Sequence, residues 1–87
     1  MKILAKPIDM IAWFTTDGSP NPVKFKIKND DESETIINVD RVIFKDIEKL
    51  AGNKMILFRC QSVINDVDKL YELKYEINTC KWMMYKM

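Results

Sequence analysis

Histidine is absent from the 87 residues of this chain, which removes the commonest general base and both the Ser-His and Cys-His nucleophile pairs. Glycine is scarce: Gly18 and Gly52 alone make no glycine-rich loop to cradle a phosphate. The three serines, Ser19, Ser33 and Ser62, lie in no Gly-x-Ser-x-Gly elbow. Cys60 and Cys80 are the only cysteines, and without histidine two thiols fall short of the usual four-ligand zinc set. They stand in predicted strands rather than in a Cys-x-x-Cys turn. The expectation is therefore two reduced, buried thiols in a cytoplasmic protein. No apolar run approaches the ~20 residues that span a membrane. The opening Met1-Lys2-Ile3-Leu4-Ala5 is interrupted at once by Lys6, Pro7 and Asp9, unlike a secretory signal. These absences predict no cofactor, no metal, no membrane and no enzyme.

Charge excess is lacking as well. Fourteen basic residues face 13 acidic ones, a net charge of +1, whereas nucleic-acid binders usually carry a clear basic excess to displace counterions from phosphates. Only Arg41 and Arg59 are arginines, which argues against bidentate reading of base edges. The length fits one domain, residues 1–87. An apolar content of 47% is too high for disorder and sufficient for a small core.

What the chain does have is alternation with a period of two. The cleanest instance is Val23-Lys24-Phe25-Lys26-Ile27-Lys28, with apolar side chains on one face of a strand and lysines on the other. Related alternation occurs at Ile8-Met10-Ala12-Phe14, Ile56-Phe58-Cys60 and Tyr71-Leu73-Tyr75-Ile77. The first strand, about Lys6 to Thr15, is apolar on both faces and predicts a central or doubly covered strand. Asp17-Gly18 and Asn29-Asp30-Asp31-Glu32-Ser33 read as turns. A strand beginning near Glu34 breaks phase between Ile37/Val39 and Val42/Phe44, which predicts a bulge or sharp bend near Asp40-Arg41 that turns both pairs to the core. Lys45 to Gly52 fits one or two helical turns, with Ile47, Leu50 and Ala51 at i, i+3 and i+4, or a strand extension. Three further strands follow: Lys54 to Ile64, Lys69 to Ile77 and Cys80 to Lys86. The fold class is all-β, or β-rich with one short helix: a five- or six-stranded antiparallel meander closing into a small barrel or roll, broadly SH3-like or OB-like.

Candidate site residues are few. Glu72 and Glu76 share a strand parity, but Lys74 shares it too, so this face reads as solvated cross-strand pairing. Asp30, Asp31, Glu32 and Glu34 form an acidic cluster with neither the length nor the mid-loop glycine of a calcium loop. Lys24, Lys26 and Lys28 could track a phosphate backbone, with Trp13 or Tyr85 as a base-stacking platform; the competing explanation is that they guard an exposed strand against aggregation. Arg59, inside an apolar run, is a candidate ion-pair or binding residue. At the C-terminus, Met83, Tyr85 and Met87 form either core or an adaptable partner patch suited to self-association or another protein.

The stretches Lys6-Pro7-Ile8-Asp9-Met10-Ile11-Ala12-Trp13-Phe14 with Gly18, Pro22-Val23-Lys24-Phe25-Lys26-Ile27, and Tyr71-Glu72-Leu73-Lys74-Tyr75 with Cys80-Lys81-Trp82 resemble short uncharacterised proteins of clostridia and related low-GC Gram-positive bacteria. The resemblance covers most of the chain and implies a bacterial cytoplasmic origin, with no catalytic residues to carry over. The expected function is a small non-enzymatic binding or protein-interaction module, the alternative a weak, sequence-indifferent nucleic-acid binder.

Overall fold

In the computed structural model, which describes all 87 residues, the alternating segments become seven strands. They are β1 (Ile3–Phe14), β2 (Pro20–Lys28), β3 (Glu34–Asn38), β4 (Arg41–Leu50), β5 (Asn53–Ile64), β6 (Val67–Glu76) and β7 (Lys81–Lys86). All pairings are antiparallel, in the spatial order β3-β2-β1-β7-β6-β5-β4. The sheet curls into a half-barrel, so β3 and β4, consecutive in the chain, are its two open edges. No helix is present, and hence none long and apolar enough to cross a membrane.

The expected five or six strands become seven because the bend near Asp40 separates β3 from β4 instead of bulging one long strand. The helical option for 45–52 is also overturned. Leu50 pairs with Asn53 across a two-residue turn, and both turn residues, Ala51 and Gly52, have positive φ. That is the type I′ turn whose twist suits a hairpin, and it cannot end a helix running through Leu50. Ile47, Leu50 and Ala51 fit helical spacing only by coincidence of a short run; all three are exposed or nearly so.

The half-barrel holds its core on the concave face. Phe25, Ile27, Ile37, Ile56, Phe58, Cys60, Tyr71, Leu73, Tyr75, Trp82 and Met84 make one cluster, each fully buried large side chain worth about 1.5–3 kcal/mol. Phe58 and Trp82 stack with centroids 5.5 Å apart, and Tyr71 meets Phe25 edge-on at 5.7 Å. Curvature comes from register shifts in β1, β2, β4 and β7; each adds an unpaired residue that sharpens local twist. One is Val23, skipped between the pairs Ile11–Lys24 and Ala12–Pro22. It turns outward and is exposed, although its parity in the sequence matches buried Phe25.

A side-chain clasp ties the edge strand β3 to β5 across the open side of the half-barrel. The Ser62 hydroxyl lies 2.6 Å from the Asn38 carbonyl and 2.6 Å from the Tyr71 phenol. A carbonyl only accepts, so Ser62 donates to Asn38 and the fully buried Tyr71 donates to Ser62. Asp40 N–H adds a longer bond to Ser62 at 3.4 Å, and the Asp40 carboxylate accepts from Val63 N–H at 2.8 Å. The β3–β4 connection is thereby pinned to β5. Burial is the main cause holding the Tyr71 phenol above its ordinary range.

The turns repeat a device. Gly18 N–H donates to Thr15 O and Thr15 N–H to Ser19 O; Glu32 N–H donates to Asn29 O and Asn29 N–H to Ser33 O. Asp17 and Asp31 each accept from the backbone N–H two residues on. Gly18 and Glu32 occupy the same left-handed position, with φ of 85° and 69°.

Candidate interaction surfaces

Three surfaces lie outside the core, and each follows from how a strand is paired. The first is the convex face of β1, β2 and β3. Lys24, Lys26 and Lys28 project there, with Ile11 opposite Lys24 and Ile36 opposite Lys26. Trp13 is on the same face and 69% exposed. A shallow groove of about 320 Å³ runs between Ile11, Lys24, Lys26 and Ile36. Its charge is partly cancelled: Lys26 sits 3.2 Å from Glu34 and 3.7 Å from Asp9, and the Glu34 hydrogen bond chiefly raises its pKa. Because β2 lies between β1 and β3, its lysines do not guard a free edge; the protective explanation offered for them fails on topology.

The second surface is an apolar cleft of about 840 Å³ where β1 parts from β7. Residues Ile3 to Ile8 of β1 pair with β7, whereas Asp9 to Phe14 pair only with β2. The gap so created is lined by Ile8, Met10, Ala12 and Phe14 from β1 and by Tyr75 and Trp82 across from them, with Cys80 and Lys81 at the rim. Cys80 is exposed and unpaired, unlike buried Cys60, which corrects the expectation of two buried thiols. Hydrogen bonding to Cys80, then burial, holds the Tyr75 phenol above its ordinary value. No three histidine, cysteine, aspartate or glutamate side chains converge as a metal-ligand set.

The third surface is β4. Nine of its ten residues are exposed, among them Val42, Ile43, Phe44, Ile47 and Leu50, the last at 80%. Pairing with β5 sorts its side chains: Lys45 is opposite core Phe58 and Ile47 opposite core Ile56, on the concave side, while Asp46 and Glu48 lie opposite Leu57 and Met55 on the convex side. Lys45 Nζ stands 5.9 Å from the Phe58 ring centroid. Glu48 meets Lys74 at 3.2 Å, close enough for an ion pair but without hydrogen-bond geometry. Sequence reading missed this edge, because the helical option for 45–52 absorbed its apolar residues; the signal was the β-branched and aromatic run Val42-Ile43-Phe44 followed by Lys-Asp-Ile-Glu-Lys.

The remaining candidates are dispersed. Arg59 is on β5, bonded through Nε and Nη2 to Glu72 at 3.2 and 3.0 Å. Glu72 is only 6% exposed, so the face expected to be solvated is instead covered around this pair. Met83 and Tyr85 are half-buried, with Lys74 Nζ 3.7 Å from the Tyr85 ring centroid. Met87 packs against the core cluster. The structure thus brings Trp13 together with the three lysines but leaves Arg59 and Tyr85 on the other side of β1. Comparison with protein-family models, with curated proteins and with solved structures finds no match to this chain, so function has to be read from the surfaces themselves.

Proposed function

We propose that the chain is a non-enzymatic protein-interaction domain. The observation that carries this reading is β4, an unpaired sheet edge ten residues long and exposed on both faces. Edges of this length and apolar content are normally covered, shortened or bent away, since they template further strand pairing. The accessible surface supports the same reading. It is 5971 Å², about 600 Å² above the ~5,400 Å² expected for a monomer of this mass. Two unpaired thiols, one of them exposed, favour a reducing, cytoplasmic setting.

A weak nucleic-acid binder is the second reading, favoured by Trp13 sharing one face with Lys24 and Lys28, neither of which has an ion-pair partner. Two experiments decide between them. Selection from a random peptide-display library on the immobilised domain should enrich binders that compete with one another. Amide shifts at Lys24, Lys26 and Lys28 should stay still when short oligonucleotides are added at low salt. No peptide enrichment, together with oligonucleotide-induced shifts there that vanish with salt, would overturn the proposal in favour of nucleic acid.

A further inference from the structure

The partner's chemistry can be read from β4, an inference that rests on the interaction-domain reading above. Hydrogen-bonding direction along the strand comes first. The type I′ turn at Ala51-Gly52 makes the Leu50 carbonyl accept from Asn53 N–H. In an antiparallel ladder, alternate residues then aim their polar groups at the neighbour. Leu50, Glu48, Asp46 and Phe44 therefore turn their backbone groups toward β5, while Lys49, Ile47 and Lys45 turn theirs to the open edge. Three alternate edge-facing residues form a ladder for one more strand, the Ile47 N–H leaving the Asp46 carboxylate, 2.9 Å away, as that strand adds.

Charge along that edge is sorted by face. Lys45 and Lys49 stand on the concave side, and Lys54 continues that row across the turn, opposite Lys49. None of the three has a carboxylate within ion-pair distance. Asp46 and Glu48 stand on the convex side; Glu48 has Lys74, and Asp46 has only the N–H of Ile47.

Over the regular stretch from Lys45 to Glu48, this sorting disfavours a second copy as the occupant. Two identical edges joined in an antiparallel sheet are related by a two-fold axis normal to it, which keeps concave side chains opposite concave ones. An axis at Lys45 opposes the two Lys45 side chains, and one at Asp46 opposes the two Asp46 carboxylates. An axis at Ile47 sets Lys45 against Lys49 and Asp46 against Glu48, and one at Glu48 opposes the two Glu48 carboxylates. Like charges directly opposite destabilise a sheet.

We propose that β4 accepts, by antiparallel strand addition, an extended segment of another protein in which acidic side chains face Lys45 and Lys49. On its other face that segment carries a basic side chain toward Asp46, and it places a β-branched residue against Ile47. The match uses both faces of the edge, so it selects the register as well as the partner.

The test uses the intact chain and two capped peptides. The matched peptide reads Glu-Lys-Val-Lys-Glu-Ile, opposite positions 49 to 44 in turn, with short polar flanks; the swapped peptide exchanges every Glu and Lys. Amide shifts and hydrogen exchange are followed on the labelled domain. The matched peptide should slow exchange at Lys45, Ile47 and Lys49 and bind at least about tenfold more tightly than the swapped one, from three or four opposite-charge cross-strand pairs. The variant Lys45→Glu/Asp46→Lys/Lys49→Glu changes only exposed side chains and should invert the order. Equal binding of both peptides, binding of neither, or protection of β4 by self-association would overturn the proposal. If peptides bind instead at the cleft around Met10, Phe14 and Trp82, the edge assignment falls while the interaction-domain reading survives. Absence of binding here and in the display selection removes both.

Discussion

Replacing Ser62 by alanine should cost more stability than replacing Tyr71 by phenylalanine, although the tyrosine is far larger. Tyr71→Phe deletes the phenol but leaves Ser62 its donor bond to Asn38 and its contact from Asp40 N–H. The loss is one neutral hydrogen bond, about 1 kcal/mol. Ser62→Ala strands the Tyr71 phenol, on a side chain with no exposure, and also removes the bond to the Asn38 carbonyl, which belongs to an exposed residue. The unsatisfied phenol costs about 1–3 kcal/mol and the lost bond about 1 kcal/mol, so about 2–4 kcal/mol is expected, a large part of the ~5–10 kcal/mol available to a small domain. In the double variant the stranded phenol no longer exists. It should therefore be no less stable than Ser62→Ala alone, a coupling opposite in sign to simple additivity. Urea unfolding at neutral pH reads this directly; with a slope of about 1 kcal/mol/M, Tyr71→Phe should lower the midpoint by about 1 M. Equal costs for the two single changes, with an additive double variant, would refute the hydrogen-bond direction assigned to the clasp.

The matched turns predict that Glu32→Gly stabilises the domain and Gly18→Ala destabilises it, each by up to about 1 kcal/mol, because only backbone strain at positive φ is at stake; no heavy atom lies within 4 Å of a Cβ placed on Gly18, and thermal melts should move in opposite directions. Thiol labelling of the native protein should modify Cys80 rapidly and spare Cys60, whose thiol burial pushes up to about 12; Cys60 should react only as the protein unfolds. Stability should fall on acidification. Asp17 is held below the ordinary 3.8 chiefly by Thr15 and then Ser19, Asp31 by Ser33, and Glu76 below 4.5 by Thr79 and Asn53. Folded values below the unfolded ones mean the contribution is complete above the ordinary carboxylate pKa and is lost as pH falls through the folded values. Carboxyl carbon titrations by NMR check each group. At the alkaline end the sign reverses, since Tyr71 and Cys60 ionise later when folded; stability should decline as pH rises past their ordinary values of 10.0 and 9.0.

Alternation proved readable along the regular stretches of β2, β5 and β6, though not at Ile77, which is exposed just past the end of β6. Phe25 and Ile27, the run Ile56-Phe58-Cys60, and Tyr71-Leu73-Tyr75 all face the core as their parity required. It misled where an extra residue shifts the pleat, as at Val23, because a skipped pairing partner leaves no trace in hydropathy. Phe44, expected inside, is opposite Arg59 on the convex face because a register shift between Val42 and Phe44 intervenes. The 45–52 segment is ambiguous by nature: Ile47, Leu50 and Ala51 satisfy a helical spacing, and only pairing with β5 decides the matter. Candidate sites fared similarly. That Arg59 forms an ion pair was visible from a lone arginine among apolar residues. That its partner Glu72 is buried, and that β4 is an edge, depend on which strands become neighbours, which local pattern does not encode.

β1 changes partners halfway along its length, and this divides the molecule mechanically. Strands β1 to β3 form one leaf and β4 to β7 another, joined in the sheet only by the β1–β7 ladder along residues 3–8, with the shared core and the Ser62 latch between them. Flexing about that spine alters the width of the space between Met10 and Trp82 while leaving each leaf intact. Amide exchange should then be slowest in the ten-pair β5–β6 ladder and faster in the five-pair β2–β3 ladder, which closes the smaller leaf.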